Sequence, residues 1–427
     1  MNRTWIGVTA AASVVLVVAA AGVGGDWPCY LGPDQSSSSA ETGLMRAWPE
    51  GGPKVLWQAA MGEGFAGPIV SRGEVFILDR GGPEGKEQDS FRCLSLADGT
   101  PKWTVTYDAP GKVSFNGSRA TGAADDKYVF TIGLMGHLTC FDRQAKSIVW
   151  QKNILKEYGA ALPGWGVGLS PLVYGQTVIV AAMGDKAGLI ALNKADGKEV
   201  WASEPIGKMQ YVSPTLAKIA GVDQVLMIGG REDRQGPSPV VGVSPADGKI
   251  LWKYMEWKCG IPIPPPASLG EGRVFVTGAY GAESVLLEIS HLEAGGYAVK
   301  ELFKTTECGA QIHRPIFYKD HLYVNSNDNK RSPGLMCLDL TGKVLWKTGR
   351  DPFFDRGGML LADGLLYMVD ASNGTLYLIV PDPAGLKVLA SAKLLETKDA
   401  WSPLALADGR LLIRDQKSLK CLNVKGP

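Results

Sequence analysis

Residues 197–201 read Gly-Lys-Glu-Val-Trp, and the same spacing of glycine, lysine and tryptophan recurs at residues 248–252 and 342–346. Looser copies end in an aromatic residue or, in the last copy, in alanine: Val55-Leu56-Trp57, Pro101-Lys102-Trp103, Ile148-Val149-Trp150, Glu301-Leu302-Phe303 and Lys387-Val388-Leu389-Ala390. Neighbouring copies from Trp57 to Trp346 are 43 to 51 residues apart. Eight copies at this period indicate a chain built from one repeated unit.

The second landmark of each unit is a Ser-Pro pair or a close relative, as in Ser170-Pro171, Ser213-Pro214 and Ser402-Pro403. An apolar strand, a tight turn and two further strands follow it, and the fourth strand ends in tryptophan. Asp-Gly pairs such as Asp98-Gly99 and Asp408-Gly409 mark turns, because they tolerate the positive φ angles that short hairpins need. Four short strands per unit at this period predict the blades of a β-propeller.

The two ends of the repeat region are incomplete in complementary ways. The first tryptophan strand, Lys54 to Trp57, has no preceding strands of its own, and the last unit, Ser402 to Val424, lacks a tryptophan strand. We therefore expect the N-terminal strand to complete the last blade, which removes the exposed sheet edges of an open array. The predicted fold is all-β: an eight-bladed β-propeller of four-stranded antiparallel blades over residues 54–427, preceded by a leader segment at residues 22–53.

The first residues have the pattern of an export signal. Arg3 precedes an apolar stretch from Trp5 to Val18, which is too short for a membrane span, and small residues follow at Ala19 to Ala21. This pattern predicts a signal peptide over residues 1–21. No lipid-attachment cysteine follows it. We expect a periplasmic or secreted protein with no transmembrane span in the mature chain, and retention of the apolar stretch as an anchor is the alternative.

Charge and motifs exclude several classes of function. The 44 Lys and Arg residues balance 43 Asp and Glu residues. A chain with so little net charge has no general attraction for DNA, RNA or an anionic membrane. The four histidines lack metal-ligand spacing, and no haem, phosphate-loop or nucleophile-elbow motif occurs. We expect a monomer with no nucleic-acid partner and no metal site.

The seven cysteines fall into distinct groups. One repeat position, which is alanine in other units, predicts small buried core residues at Cys93, Cys140, Cys337 and Cys421. Cys259 and Cys308 lie in equivalent inter-blade loops of neighbouring units. These two are candidates for a disulfide, which export would permit.

The repeated units resemble the PQQ-type (pyrroloquinoline-quinone-type) repeat, whose fingerprint is a turn, Gly-Lys, two residues and Trp. The resemblance covers nearly everything from Lys54 to Val424. Two functional groups share this repeat: quinoprotein dehydrogenases hold PQQ and calcium over the ring centre, and a scaffold lipoprotein of the outer-membrane β-barrel assembly machinery has the same ring without a cofactor. The fold therefore does not decide the function. The resemblance also implies that tryptophans dock blade against blade, namely Trp103, Trp150, Trp201, Trp252 and Trp346.

A functional site is expected at the central funnel, where inter-blade loops precede the first strand of each blade. Arginines at this position would favour carboxylates, because the guanidinium fork matches two oxygens. Aromatic residues at comparable positions, including Phe65, would suit a flat ligand or a peptide. The candidate ligand-binding residues are Arg119, Arg314, Arg356, His313, Asp355, Trp165, Tyr211 and Trp401. The alternative is that the arginines pair with Asp355, Asp399 or free carbonyls and only hold blades together.

These observations favour a binding or scaffold module over an enzyme, with an envelope protein or an acidic small ligand as partner. The alternative is PQQ-dependent oxidation of alcohols or sugars, which would need PQQ and calcium. No adjacent cysteine pair is present, and no motif requires Asp355, Asp399 and Asn116 to form a calcium site. We therefore predict no cofactor and assign no catalytic residue. The aromatic loops also suggest a third interpretation, a propeller that binds a saccharide or another polymer.

Overall fold

The structure, a computed structural model, describes residues 25–328 and 331–426. The predicted signal peptide at residues 1–21 lies outside the described residues. Within them the chain forms 33 strands and one short helix. No helix in this part of the chain is long and apolar enough to cross a membrane.

Two strands precede the repeats: β1 (Ser38–Ser39) and β2 (Val55–Ala60). Blade 1 contains β3 (Ile69–Ser71), β4 (Glu74–Gly81), β5 (Gln88–Ser95) and β6 (Pro101–Asp108). Blade 2 contains β7 (Ala123–Ala124), β8 (Tyr128–Ile132), β9 (His137–Asp142) and β10 (Ser147–Asn153), and the helix α1 (Ile154–Tyr158) follows it. Blade 3 contains β11 (Leu172–Tyr174), β12 (Thr177–Ala181), β13 (Leu189–Asn193) and β14 (Glu199–Ala202). Blade 4 contains β15 (Thr215–Ile219), β16 (Val222–Ile228), β17 (Val240–Val243) and β18 (Ile250–Tyr254).

The second half of the chain repeats this arrangement. Blade 5 contains β19 (Ala267–Gly270), β20 (Arg273–Val276), β21 (Ser284–His291) and β22 (Tyr297–Thr305). Blade 6 contains β23 (Ile316–Tyr318), β24 (His321–Asn325), β25 (Leu335–Asp339) and β26 (Val344–Lys347). Blade 7 contains β27 (Met359–Ala362), β28 (Leu365–Asp370), β29 (Thr375–Val380) and β30 (Lys387–Lys393). Blade 8 contains β31 (Ala405–Ala407), β32 (Arg410–Arg414) and β33 (Ser418–Asn423), and its fourth strand is β2.

The blades are arranged as a ring around their first strands. Each blade is an antiparallel meander, and the first strands of neighbouring blades contact one another, with β31 of blade 8 against β3 of blade 1. The prediction of an all-β, eight-bladed propeller with four-stranded antiparallel blades is confirmed. In blade 8, Trp57 of β2 lies opposite Cys421 of β33.

Every blade has a β-bulge at the residue before its repeat tryptophan, or before the Phe303 or Ala390 that replaces it. In several blades the bulged residue is exposed, as Val149 and Val200 are at 40% and 55%. A bulge increases the local twist and bends the outer strand, which makes that edge a poor template for pairing with another sheet.

Three of the five tryptophans to which the resemblance gave a docking role are hydrogen-bonded to the next blade. The indole N–H of Trp150 donates to Lys194 O (2.9 Å), that of Trp201 to Pro245 O (3.1 Å) and that of Trp346 to Asp382 O (2.8 Å). Trp252 donates instead to Gln224 Oε1 within its own blade (2.7 Å). The buried Trp103 Nε1 has no partner among the described residues.

The glycine of the fingerprint is needed by the preceding blade. A Cβ on Gly248 would lie 2.4 Å from the ring of Trp201, and a Cβ on Gly197 would lie 2.7 Å from the ring of Trp150. Both glycines also have positive φ, at +75° and +68°. At these two joints a blade therefore supplies a tryptophan to the next blade, which supplies the glycine turn that makes room for the indole.

The four repeat cysteines are buried, as predicted, and each pairs across strands with its own blade's tryptophan. The possible disulfide between Cys259 and Cys308 is not formed, because all seven cysteines are free. The two residues do occupy equivalent positions: Ser238 Oγ donates to Cys259 O, and Ser284 Oγ donates to Cys308 O. Each cysteine packs in a different hydrophobic cluster, which directs the two thiols into separate parts of the core.

Part of the leader segment passes along the inner strands of the ring. We call residues 26–41 the channel segment. Trp27 pairs with Val70 of β3, Pro28 O accepts from Ala124 N of β7, and β1 runs parallel to β27. The segment starts and ends beside the first hairpin turns of the blades, where Asp26 accepts from Arg72 N (2.9 Å) and Glu41 accepts from Gly409 N (2.7 Å). It therefore runs in along the inner strands, turns and runs back.

Candidate functional site

A pocket of about 200 Å³ lies at the end of the ring where the first strands begin. We call it the funnel pocket. Its lining comes from the inter-blade loops, the starts of the first strands and the channel segment: Tyr30, Phe65, Phe115, Arg119, Trp165, Gly168, Ser170, Tyr211, Ser213, Ile263, Gln311, Ile312, His313, Arg356, Trp401 and Pro403. Of the predicted site residues, only Arg314 and Asp355 are outside this lining.

Hydroxyl side chains set the spacing of the loops that carry the pocket. Gly67 N donates to Thr121 Oγ1, Thr121 N donates to Ser170 Oγ, and Ser170 N donates to Ser213 Oγ, at 2.9 to 3.1 Å. These bonds join blades 1 to 4 in sequence. The serine of the Ser-Pro landmark is thus a hydrogen-bond acceptor for the preceding blade.

Aromatic side chains form two walls of the pocket. Phe65 stacks on Trp401, with ring centroids 5.2 Å apart, and Phe115 leans on the same indole at 5.9 Å. Trp165 and Tyr211 form the other wall at 5.2 Å, and the Tyr211 hydroxyl accepts from Trp165 N at 3.0 Å. Fixed aromatic faces of this kind bind flat or apolar groups.

Arg119 lies between the two walls. Its guanidinium is 5.0 Å from the Phe65 centroid, and its Nε and Nη2 donate to the carbonyls of Trp165, Ser114 and Phe115. Its Nη1 is accessible and makes no hydrogen bond within the described chain. Burial lowers the pKa of Arg119 to about 10, so the group remains a cation at neutral pH.

Arg356 is paired inside the site. Its Nε donates to Asp355 Oδ1 at 2.9 Å, and Trp401 Nε1 donates to Asp355 Oδ2 at 2.9 Å. The guanidinium lies 4.3 Å from the Trp401 ring centroid, in cation–π contact. Asp355 therefore fixes Arg356 and Trp401 together, as the alternative interpretation of the arginines had it.

Arg314 is directed away from the pocket. Its guanidinium donates to Gln35 O of the channel segment and to Ser268 O (3.2 Å), and its side chain is buried. Burial lowers its pKa to about 10. No carboxylate forms an ion pair with Arg314 or Arg119 in the described part of the chain.

His313 and Gln311 bring unpartnered polar atoms to the pocket. His313 is 6% exposed, and neither its Nε2 nor the buried Gln311 Oε1 has a hydrogen-bond partner among the described residues. Gln311 Nε2 donates to the Tyr280 hydroxyl at 2.8 Å. Burial lowers the pKa of His313 to about 4, so the imidazole is neutral at physiological pH.

Two aromatic lining residues, Tyr30 and Phe115, were not predicted from the sequence. Tyr30 belongs to the channel segment, and burial raises the pKa of its phenol to about 12. Phe115 lies four residues before the predicted Arg119, and it is 55% exposed with φ of +56°. Tyr30 has no counterpart in the repeats, so no alignment of the units could place it.

The dehydrogenase alternative requires oxygen ligands for calcium, and the side chains present do not fit that requirement. Both oxygens of Asp355 are engaged by Arg356 and Trp401, and neither Asp399 nor Asn116 lines the pocket. Within residues 25–328 and 331–426, no three His, Cys, Asp or Glu side chains are placed to share a metal ion. The donor set therefore does not match a PQQ–calcium centre.

Comparisons with solved structures give the same fold in proteins of different function. BamB from Moraxella catarrhalis matches with a TM-score of 0.60 and 14% identity, over 87% of this chain and 99% of that chain. A europium-containing methanol dehydrogenase matches with a TM-score of 0.64 and 13% identity, over 91% of this chain and 89% of that chain. The quinohemoprotein alcohol dehydrogenase from Comamonas testosteroni matches with a TM-score of 0.63 and 13% identity, over 94% of this chain and 81% of that chain. At these identities the likeness concerns the fold alone.

Sequence comparison identifies the family. No curated protein matches the chain. A family model described as outer membrane protein assembly factor BamB matches residues 87–348, which is more than half of the chain. The chain therefore belongs to this BamB-like family of PQQ-type β-propellers.

Proposed function

We propose that this chain is an exported binding module that takes a small acidic ligand with a flat apolar body in the funnel pocket. The observation that carries the proposal is Arg119, a partly buried cation with an accessible Nη1 and no carboxylate partner in the described chain. Buried charges in proteins are normally paired. A ligand carboxylate at Nη1 would supply the missing charge.

The surroundings of Arg119 support the same ligand. The Phe65–Trp401 and Trp165–Tyr211 walls offer faces for a flat ring, and they exclude water from the ion pair. Arg314, near Tyr30, is a second buried cation but lies outside the lining, where it donates to Gln35 O and Ser268 O. The charge of Arg119 favours an anion in the pocket, because electrostatic interactions strengthen as solvent is excluded.

Export is part of the proposal and is supported by the N-terminal sequence. A positive residue, an apolar stretch too short to span a membrane, and the small residues at Ala19 to Ala21 have the order of a cleavable signal peptide. A binding module exported in this way would meet its ligand in the periplasm or outside the cell, and the mature chain would have no membrane span.

Calorimetric titration of the purified protein with benzoate and with benzamide tests the proposal. Benzoate carries the charge and benzamide does not, so we expect benzoate to bind more tightly by roughly tenfold or more. Arg119→Gln should remove this preference, because it removes the cation and leaves the aromatic walls. The exposed Arg350 is the matched control, and Arg350→Gln should leave both affinities unchanged.

Three outcomes would contradict the proposal. Equal binding of benzoate and benzamide would show that charge is not recognised, and an unchanged preference in Arg119→Gln would place the site elsewhere. Tight binding of PQQ with calcium, together with reduction of a dye by alcohols, would replace the binding module with an oxidoreductase.

A further inference from the structure

The floor of the funnel pocket comes from the channel segment and not from a blade. Tyr30 is the lining residue that the segment contributes. It lies just before the point where the segment turns, between Trp27, which pairs with Val70, and Ser37, whose carbonyl accepts from Leu361 N. The pocket is thus closed at its inner end by a part of the chain with no copy in the repeats.

The turn below Tyr30 is tightly packed. Gly32 N donates to Cys29 O and Gln35 N donates to Gly32 O, both at 3.0 Å. A Cβ on Gly32 would lie 2.8 Å from the Trp27 indole, and its φ is +83°. These contacts give the turn one conformation, so that Tyr30 is presented to the pocket in a defined position.

Gln35 ties the turn to blades 4 and 6, which are separated in the ring by blade 5. Its side-chain Oε1 accepts from Leu216 N of blade 4 at 2.5 Å, and its backbone carbonyl accepts from Arg314, just before blade 6. Arg314 also donates to Ser268 O of blade 5. A buried arginine without a carboxylate is costly, and here its donors are used to hold the channel segment.

We propose that the channel segment is part of the binding site, with Tyr30 as the residue that sets pocket depth and so selects ligand size. Arg314 is a positioning residue that holds Tyr30 in place through Gln35. This inference rests on the proposed function. A ligand that contacts Tyr30 stabilises the docked channel segment, and the docked segment completes the binding site. Ligand binding and segment docking therefore favour each other.

The test compares benzoate with the longer 4-biphenylcarboxylate in three variants. Tyr30→Ala deepens the pocket, and we expect benzoate to weaken and the longer acid to gain, which shifts their affinity ratio by roughly tenfold or more. Tyr30→Phe keeps the aromatic ring and should have the same ratio of the two affinities as the unmodified protein. Arg314→Gln should weaken benzoate, and added benzoate should slow proteolytic cleavage within residues 26–41 in the unmodified protein but less in this variant.

The possible failures are distinguishable. If the unmodified protein binds neither acid, the proposed function and this inference both fail. If it binds benzoate through Arg119 but Tyr30→Ala leaves the affinity ratio unchanged, only the role of Tyr30 is overturned. If benzoate protects the channel segment equally in Arg314→Gln, the positioning role of Arg314 is overturned.

Discussion

His313 shows how the fold sets the chemistry of a single residue. Its ring lies beside the funnel pocket with only 6% exposure, and its Nε2 lacks a partner in the described chain. Burial lowers its pKa to about 4, and nearby carbonyls of Trp401 and Arg356 oppose this only in part. The protonated form is therefore the one that the fold disfavours.

This pKa predicts how stability depends on pH. Between about pH 6.5 and pH 4 the unfolded chain binds a proton at His313 that the folded chain does not bind, so the free energy of unfolding falls as pH falls through this window. The loss amounts to about 3 kcal/mol. We expect His313→Gln to remove that part of the loss, measured by urea unfolding at pH 7 and pH 4.

The exposed His291 provides the control for this pH dependence. His291→Gln should leave the difference between pH 7 and pH 4 as it is in the unmodified protein. An identical difference in His313→Gln would mean that the imidazole is not buried as the structure has it.

The sequence predicts the backbone position of a residue better than the direction and contacts of its side chain. Arg119, Arg314 and Arg356 each lie just before a first strand, and the repeat was enough to find them. Only the structure separates their roles, because the partner of Arg314 is Gln35, 279 residues earlier in a segment that no repeat aligns. Backbone position follows from periodicity, whereas the direction of a long side chain follows from unrepeated neighbours.

At the level of the element, the repeat fingerprint describes a joint between blades. A bulge lies at the residue before the tryptophan, and the glycine turn of the next blade leaves space for the indole. Strand number and turn positions could be predicted because each unit repeats them. The position of the channel segment could not be predicted in this way, because the segment forms only a two-residue strand and an isolated bridge to other blades.

This joint predicts different costs for two glycine substitutions. Gly248→Ala places a Cβ 2.4 Å from the Trp201 ring at a positive φ, and we expect a loss of about 2–4 kcal/mol in unfolding free energy. Gly221 has a similar φ of +80° but nothing within 4 Å of its Cβ position. Gly221→Ala should therefore cost only about 1 kcal/mol. Equal losses in urea unfolding would show that the indole does not depend on the glycine.

At the scale of the whole molecule, an early strand and the last strands of the described chain meet in blade 8. The N-terminal strand β2 pairs with β33, and Leu44 and Met45 also bond to the C-terminal residues near Val424. The channel segment just before β2 crosses the interior of the ring. The ring is thus closed by contacts between residues that are hundreds of positions apart. If the ring opened, both the pairing of the closing strand and the floor of the pocket would be lost.

A disulfide across the closing strands tests this arrangement. Gln58 of β2 and Lys420 of β33 are directly opposite each other, and facing residues in antiparallel strands are close enough for a disulfide. We expect Gln58→Cys with Lys420→Cys to oxidise readily and to raise the free energy of unfolding by about 3–5 kcal/mol, because the cross-link closes a loop of most of the chain. Non-reducing electrophoresis and urea unfolding with and without reductant measure both effects. The control pairs Gln58→Cys with Lys198→Cys, on an exposed turn of blade 3, and should not cross-link within one chain. If the two pairs behaved alike, β2 would not be the fourth strand of blade 8, and the ring would have to close in another way.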